Sequence, residues 1–74
     1  MADANAYHKP HLPINRDELA LLSLVAEGRT RKEIAAARGV SVGTIQHMMR
    51  VVEQKLGART TEQAIAIVAR AGVL

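Results

Sequence analysis

At 74 residues the chain makes one small domain with a thin core, and with no Cys it has neither a disulfide nor a thiolate metal site to reinforce it. Phe and Trp are absent and Tyr7 is the single aromatic residue, which removes the stacking platforms used on single-stranded nucleic acid. The formal net charge of +3 is too small to define a partner by itself, so the placement of the charges has to decide.

Residues 1–13, MADANAYHKPHLP, show no helical period and carry two prolines. They read as an extended or disordered arm, leaving residues 14–74 as the domain. No apolar run suits a signal peptide or is long enough to span a membrane, so a cytoplasmic location is expected. His8 and His11 stand three apart across Lys9-Pro10, a spacing that invites a metal. Proline prevents a regular helix presenting both, and no carboxylate or thiol lies near in sequence, so no metal and no cofactor are expected.

Asn15-Arg16-Asp17-Glu18 predicts the start of the first helix. Asn can accept the amide three residues on while Glu18 reaches back to the cap amide, a capping box. Asp17 and Glu18 also lie in the first turn, where the helix dipole favours negative charge. Leu19, Leu21, Leu22, Leu24, Val25 and Ala26 make this helix apolar on more than one side, so it is expected to be central and largely buried. Gly28 ends it. Asp17, Glu18 and Glu27 could be imagined as catalytic carboxylates, but cap and helix-surface roles account for them.

The stretch from Thr30 to Leu56, TRKEIAAARGVSVGTIQHMMRVVEQKL, is the most specific in the chain. Thr30 and Glu33 form a second capping box, opening a short helix to Arg38. Gly39 supplies a left-handed turn position, and Ser41 caps a longer helix reaching Leu56. Two capped helices joined through Gly-Val-Ser constitute a helix-turn-helix. In the longer helix Ile45, Met48 or Met49, Val52 and Leu56 recur as a core-facing stripe. Gly43, Gln46, His47 and Arg50 fall on a separate polar face, whose alternative reading is ordinary solvent exposure. Amide, imidazole and guanidinium groups can all bond to base edges, and a helix fits the major groove of duplex DNA.

Charge agrees with this reading. Between Arg29 and Arg59 lie Arg29, Arg31, Lys32, Arg38, Arg50, Lys55 and Arg59 against only Glu33 and Glu53, a net +5; the remainder of the chain carries −2. Taken alone, this pattern fits solvated surface charge as well as a polyanion partner. Its coincidence with the helix-turn-helix favours nucleic acid. Gly57 ends the third helix. Thr60 and Gln63 predict a further capping box, opening a fourth helix over roughly Thr61 to Ala71 that closes at Gly72. Ala64, Ile65 and Val68 can face the core. Ile67 and Ala71 lie on another side, with Val73 and Leu74 just beyond. This is more apolar surface than so small a monomer covers, which predicts a subunit contact.

In this order the residues resemble the LuxR-type (GerE-like) helix-turn-helix family of bacterial transcription regulators, from about Ile14 to Leu74. The resemblance rests on Asn15-x-x-Glu18, Leu22, Ala26-Glu27-Gly28, Thr30-x-Lys32-Glu33-Ile34-Ala35, Gly39-Val40-Ser41, Thr44-Ile45, Lys55-Leu56-Gly57-Ala58-Arg59 and Gln63-Ala64. It implies an all-α domain of four helices, with the third (about 41–56) reading DNA and the fourth mediating dimerisation. By the same implication Gln46, His47 and Arg50 meet bases, and Thr30, Arg31, Lys32, Ser41, Thr44 and Lys55 meet phosphates. The family commonly has Lys at positions 43 and 46, where this chain has Gly and Gln. That implies fewer phosphate cations and a different preferred sequence. Arg38 and Glu53 stand where apolar residues are usual, implying local repacking with the Arg38 stem snorkelling outwards. Many members carry a receiver or ligand-binding domain, for which these residues show no counterpart.

The expected function is therefore a homodimeric, sequence-specific, double-stranded DNA-binding transcription regulator, its dimer contact made by Ile67, Ala71, Val73 and Leu74. An enzyme is not expected: the serines are Ser23 and Ser41, and no triad or carboxylate dyad is evident. The competing reading is a protein-interaction module whose fourth helix binds RNA polymerase or another regulator. A sigma-factor region with a similar motif is a lesser rival.

Overall fold

Each helix begins at a residue whose side chain accepts a hydrogen bond from its own first turn. The computed structural model describes residues 12–74 and contains α1 (Arg16–Ala26), α2 (Arg31–Arg38), α3 (Val42–Leu56) and α4 (Thr61–Arg70), with no strand among the described residues. The domain is all-α, as the sequence predicts. The arm expected over residues 1–13 lies largely outside the described residues, and so do His8 and His11.

The boundaries follow from local chemistry. At α1 the Asn15 side chain accepts the Glu18 amide at 2.8 Å, and Glu18 Oε1 accepts the Asn15 amide at 2.9 Å. Thr30 and Glu33 repeat the exchange at α2, at 3.1 and 2.9 Å. The box expected at α4 is only half made. Thr60 Oγ1 accepts the Gln63 amide at 3.0 Å, but Gln63 Oε1 accepts from the Arg59 amide, one residue before the cap. With Thr60 at φ −137° rather than the −77° of Thr30, the shorter-reaching exchange is replaced by one that pins the chain before the cap. The C-terminal end of α4 is at Arg70, with Ala71 as its cap.

Gly39 shows why the two central helices join so tightly. It sits at φ 69°, ψ 33°, a left-handed conformation that costs a residue with a Cβ about 1–2 kcal/mol. The Val40 amide then bonds back to the Ala35 carbonyl at 3.0 Å, satisfying an end of α2 while turning the chain into α3.

The core consists of Leu21 and Leu22 from α1, Ile34 and Ala35 from α2, Ile45, Met49 and Val52 from α3, and Ala64 and Val68 from α4. All nine are essentially inaccessible to water, and burying each large apolar side chain is worth about 1.5–3 kcal/mol. Helix α3 packs against all three others, while α1 packs against α3 and α4. The central element is therefore α3, not α1. On α1 only Leu21 and Leu22 are fully buried; Leu19, Leu24 and Val25 are half-buried and Ala26 is exposed. A helix with neighbours on one side buries one stripe, whatever the composition of its flanks. The ambiguity between the methionines resolves to Met49, with Met48 half-buried at the edge. Ile65, expected to face the core, is only half-buried against it.

Candidate nucleic-acid interface

The buried Ile45–Met49–Val52 stripe fixes how α3 is rotated, and the opposite side of the helix is left to solvent. Gln46, His47 and Arg50 are all exposed there, together with Gly43. Three side chains with distinct hydrogen-bonding groups thus share one face of a helix packed against the other three. None of them takes part in an ion pair or a side-chain hydrogen bond among the described residues.

The N-terminal turn of α3 is closed by Ser41. Its hydroxyl accepts the Thr44 amide at 3.1 Å and lies 3.0 Å from the Thr44 hydroxyl, so the two side chains expected at phosphates stand together. The amides of Val42 and Gly43 precede the first intrahelical bond of α3. Thr30 caps α2 in the same manner and is exposed, as is Lys32. The Glu33 carboxyl is held below its ordinary value, chiefly by the Thr30 amide and then by the Thr30 hydroxyl, so it remains ionised at the start of α2.

The cations are less free than their count suggests. Lys55 Nζ donates to Glu18 Oε2 at 2.8 Å, linking the last turn of α3 to the first turn of α1. Glu18 is nearly buried, and its carboxyl is lowered by the Lys55 hydrogen bond first and the Asn15 amide second; burial opposes both. Arg38 bridges to Asp17 at 3.2 Å, so its guanidinium is tied to α1 rather than merely projecting into water. Arg31 donates to Thr61 Oγ1 at 3.1 Å, and Thr61 donates in turn to Glu53 Oε2 at 2.9 Å. Glu53, which interrupts the expected apolar pattern, thereby joins α3 to the starts of α2 and α4. Arg29, Lys32, Arg50 and Arg59 are in no ion pair among the described residues.

Sequence reasoning did not find the Glu18–Lys55 and Asp17–Arg38 links or the role of Thr61. The partners are 37 and 21 residues apart in the first two cases, beyond any local periodicity. The segregation of a basic centre from an acidic periphery was the available signal, since it placed opposite charges on elements that pack together. A hollow of about 260 Å³, lined by Leu24, Arg29, Glu33, Ile34 and Ala37, offers a guanidinium and a carboxylate but no nucleophile. No cluster of three metal-ligating side chains occurs among the described residues, and no helix there is long and apolar enough to cross a membrane.

Two capped helices joined through a left-handed glycine, the second presenting a polar face outwards and an apolar stripe inwards, define a helix-turn-helix domain. Known proteins identify its kind. The GerE family model, described as bacterial regulatory proteins of the luxR family, matches residues 15–68. The chain belongs to this luxR family. It is 39% identical over 61 residues to the response regulator RamR of Streptomyces coelicolor, an alignment covering 82% of this chain and 30% of that protein. It is also 39% identical over 57 residues to the HTH-type transcriptional activator RamA of Corynebacterium glutamicum, covering 77% of this chain and 20% of the relative. The chain thus spans well under half the length of either relative.

Proposed function

We propose that the chain binds double-stranded DNA sequence-specifically as a homodimer and regulates transcription, with α3 lying in the major groove. The observation that carries this reading is the exposed Gln46, His47 and Arg50 face on a helix whose opposite side is locked into the core. Gln can pair bidentately with adenine and Arg with guanine, and a helix of this width enters the groove. Docking uses Lys32 and Arg31 at the start of α2, Lys55, the Thr30, Ser41 and Thr44 hydroxyls, and the first amides of α3. Lys55 retains two ammonium hydrogens beyond the one given to Glu18, so its ion pair steadies the side chain without exhausting its donors.

The dimer contact is assigned to α4 and the residues after it. Ile67 and Ala71 are half-buried and Leu74 is 42% exposed, which leaves apolar surface for a second copy, while Val73 packs partly against the chain's own core. A two-fold pairing would set the two recognition helices about 34 Å apart and favour inverted-repeat sites.

The test is to titrate duplex DNA at two salt concentrations while following sedimentation of the wild type and Ile67→Asp. Salt-sensitive binding is expected, with a dimer for the wild type alone. A wild type that associates but ignores duplex DNA would replace this reading with the protein-interaction one. Monomers in both cases, even on DNA, would remove the dimer.

A further inference from the structure

Thr61 stands between two charged side chains that belong to different helices. The Arg31 guanidinium, at the start of α2, donates to the Thr61 hydroxyl at 3.1 Å, and that hydroxyl lies 2.9 Å from Glu53 Oε2 on α3. Chemistry fixes the direction of both bonds. A guanidinium has no acceptor, so the hydroxyl accepts from Arg31 and its single hydrogen is left for the carboxylate. Arg31 and Glu53 form no direct ion pair among the described residues, so the hydroxyl is what joins them. All three residues are half-buried, where water competes less for each bond.

A half-buried carboxylate is costly unless it is bonded, and here its bond goes to the group that anchors a cation. Lys32, the next residue along α2, is exposed and in no ion pair among the described residues. Its long side chain has to be ordered when a ligand binds, and that ordering costs affinity. Arg31 is instead held beforehand, and its other N–H donors are not used by Thr61. We infer that Thr61 is a positioning residue for DNA docking: its hydroxyl, oriented by Glu53, holds the Arg31 guanidinium ready for a backbone phosphate. The inference rests on the docking role proposed for Arg31 above. It also gives the first residue of α4 a part in binding that neither the dimer contact nor the base-reading face involves.

The experiment measures affinity by fluorescence anisotropy for wild type, Thr61→Val, Thr61→Ser, Arg31→Ala and the Thr61→Val/Arg31→Ala pair. Each is titrated on a duplex selected from a random pool with the wild-type chain and on its scrambled counterpart, with melting followed alongside. Valine keeps the shape of threonine and removes the hydroxyl; if that variant does not stay folded, Thr61→Ala, a better helix former, takes its place with the same expectations. Thr61→Val should weaken binding about 2- to 10-fold on both duplexes, the cost of ordering one long side chain, because phosphates carry no sequence. Thr61→Ser should bind as the wild type does. In the Arg31→Ala background Thr61→Val should cause no further loss, since the hydroxyl acts only through the guanidinium. A bond that merely fastened the helices together would lower the melting temperature and leave the affinity of the folded protein unchanged. Wild-type affinity in Thr61→Val or in Arg31→Ala, or the same fold loss from Thr61→Val with and without Arg31, would overturn the inference while leaving the DNA-binding reading intact. A wild type that selects no duplex would remove both.

Discussion

Glu18 performs two jobs with one carboxylate, and replacing it by Gln or Ala separates them. Oε1 accepts the Asn15 amide at 2.9 Å and Oε2 accepts the Lys55 ammonium at 2.8 Å. Gln keeps an acceptor for the cap but not the charge, whereas Ala removes both. The cap bond is worth about 1 kcal/mol. The ion pair, with Lys55 41% exposed, is worth about 0.5–1 kcal/mol. Glu18→Ala should therefore cost about 2 kcal/mol and Glu18→Gln about 1 kcal/mol, each kcal/mol lowering Tm by roughly 4–8 °C in a domain this small. The pH dependence follows from the lowered carboxyl. Folding favours the ionised form, so the ion-pair contribution is fully present above the unfolded value near 4.5 and is lost as pH falls through the lower folded value. Thermal melts followed by circular dichroism, from about pH 7 to about pH 3, should show the wild-type advantage over Glu18→Gln shrinking on acidification. An advantage that persists undiminished at the acid end, or equal losses for Gln and Ala, would refute the division of labour.

The packing around α3 gives a paired test: Met49→Ala should cost about 2–5 kcal/mol and Met48→Ala under about 1 kcal/mol in urea denaturation, because only Met49 is enclosed. Equal costs would mean that the helix is rotated from the orientation described. Gly39→Ala should lose about 1–2 kcal/mol through backbone strain alone, since nothing lies within 4 Å of the added Cβ; an unchanged unfolding midpoint would contradict the left-handed turn. Lys32→Ala should weaken binding equally on selected and unrelated duplexes and make the slope of log affinity against log salt shallower by about 0.9. A slope identical to that of the wild type would place Lys32 off the DNA.

What the sequence revealed and what it concealed divide along the distance between partners. The caps at Asn15, Thr30, Ser41 and Thr60 were legible because a cap and its amide lie three residues apart, and they located all four helix starts. The turn at Gly39 was legible because only glycine suits that conformation. The half-made box at Thr60 was not, because the choice of amide taken by Gln63 depends on backbone angles that residue types leave open. The central role of α3 was hidden by α1, whose abundance of leucine and valine suggests burial all round although it has neighbours on one side only. Arg38 and Glu53 looked like disruptions of an apolar pattern. They are partners of Asp17 and Thr61 on other helices, and no local period encodes that. The polar face of α3 was readable from spacing, whereas the tethering of Lys55 to Glu18 required the fold.

Base readout by Gln46, His47 and Arg50 is tested most directly by one measurement. Gln46→Ala, His47→Ala and Arg50→Ala are titrated against a duplex selected by the wild type and against its scrambled counterpart, with melting followed alongside. All three positions are exposed and lie away from the caps, so Tm should hardly move. Arg50→Ala should lose about 1–3 kcal/mol on the selected duplex and much less on the scrambled one, relaxing preference at one base position per half-site. Equal losses on both duplexes would mean that this face holds only the DNA backbone, and the assignment of α3 as the reading helix would fail.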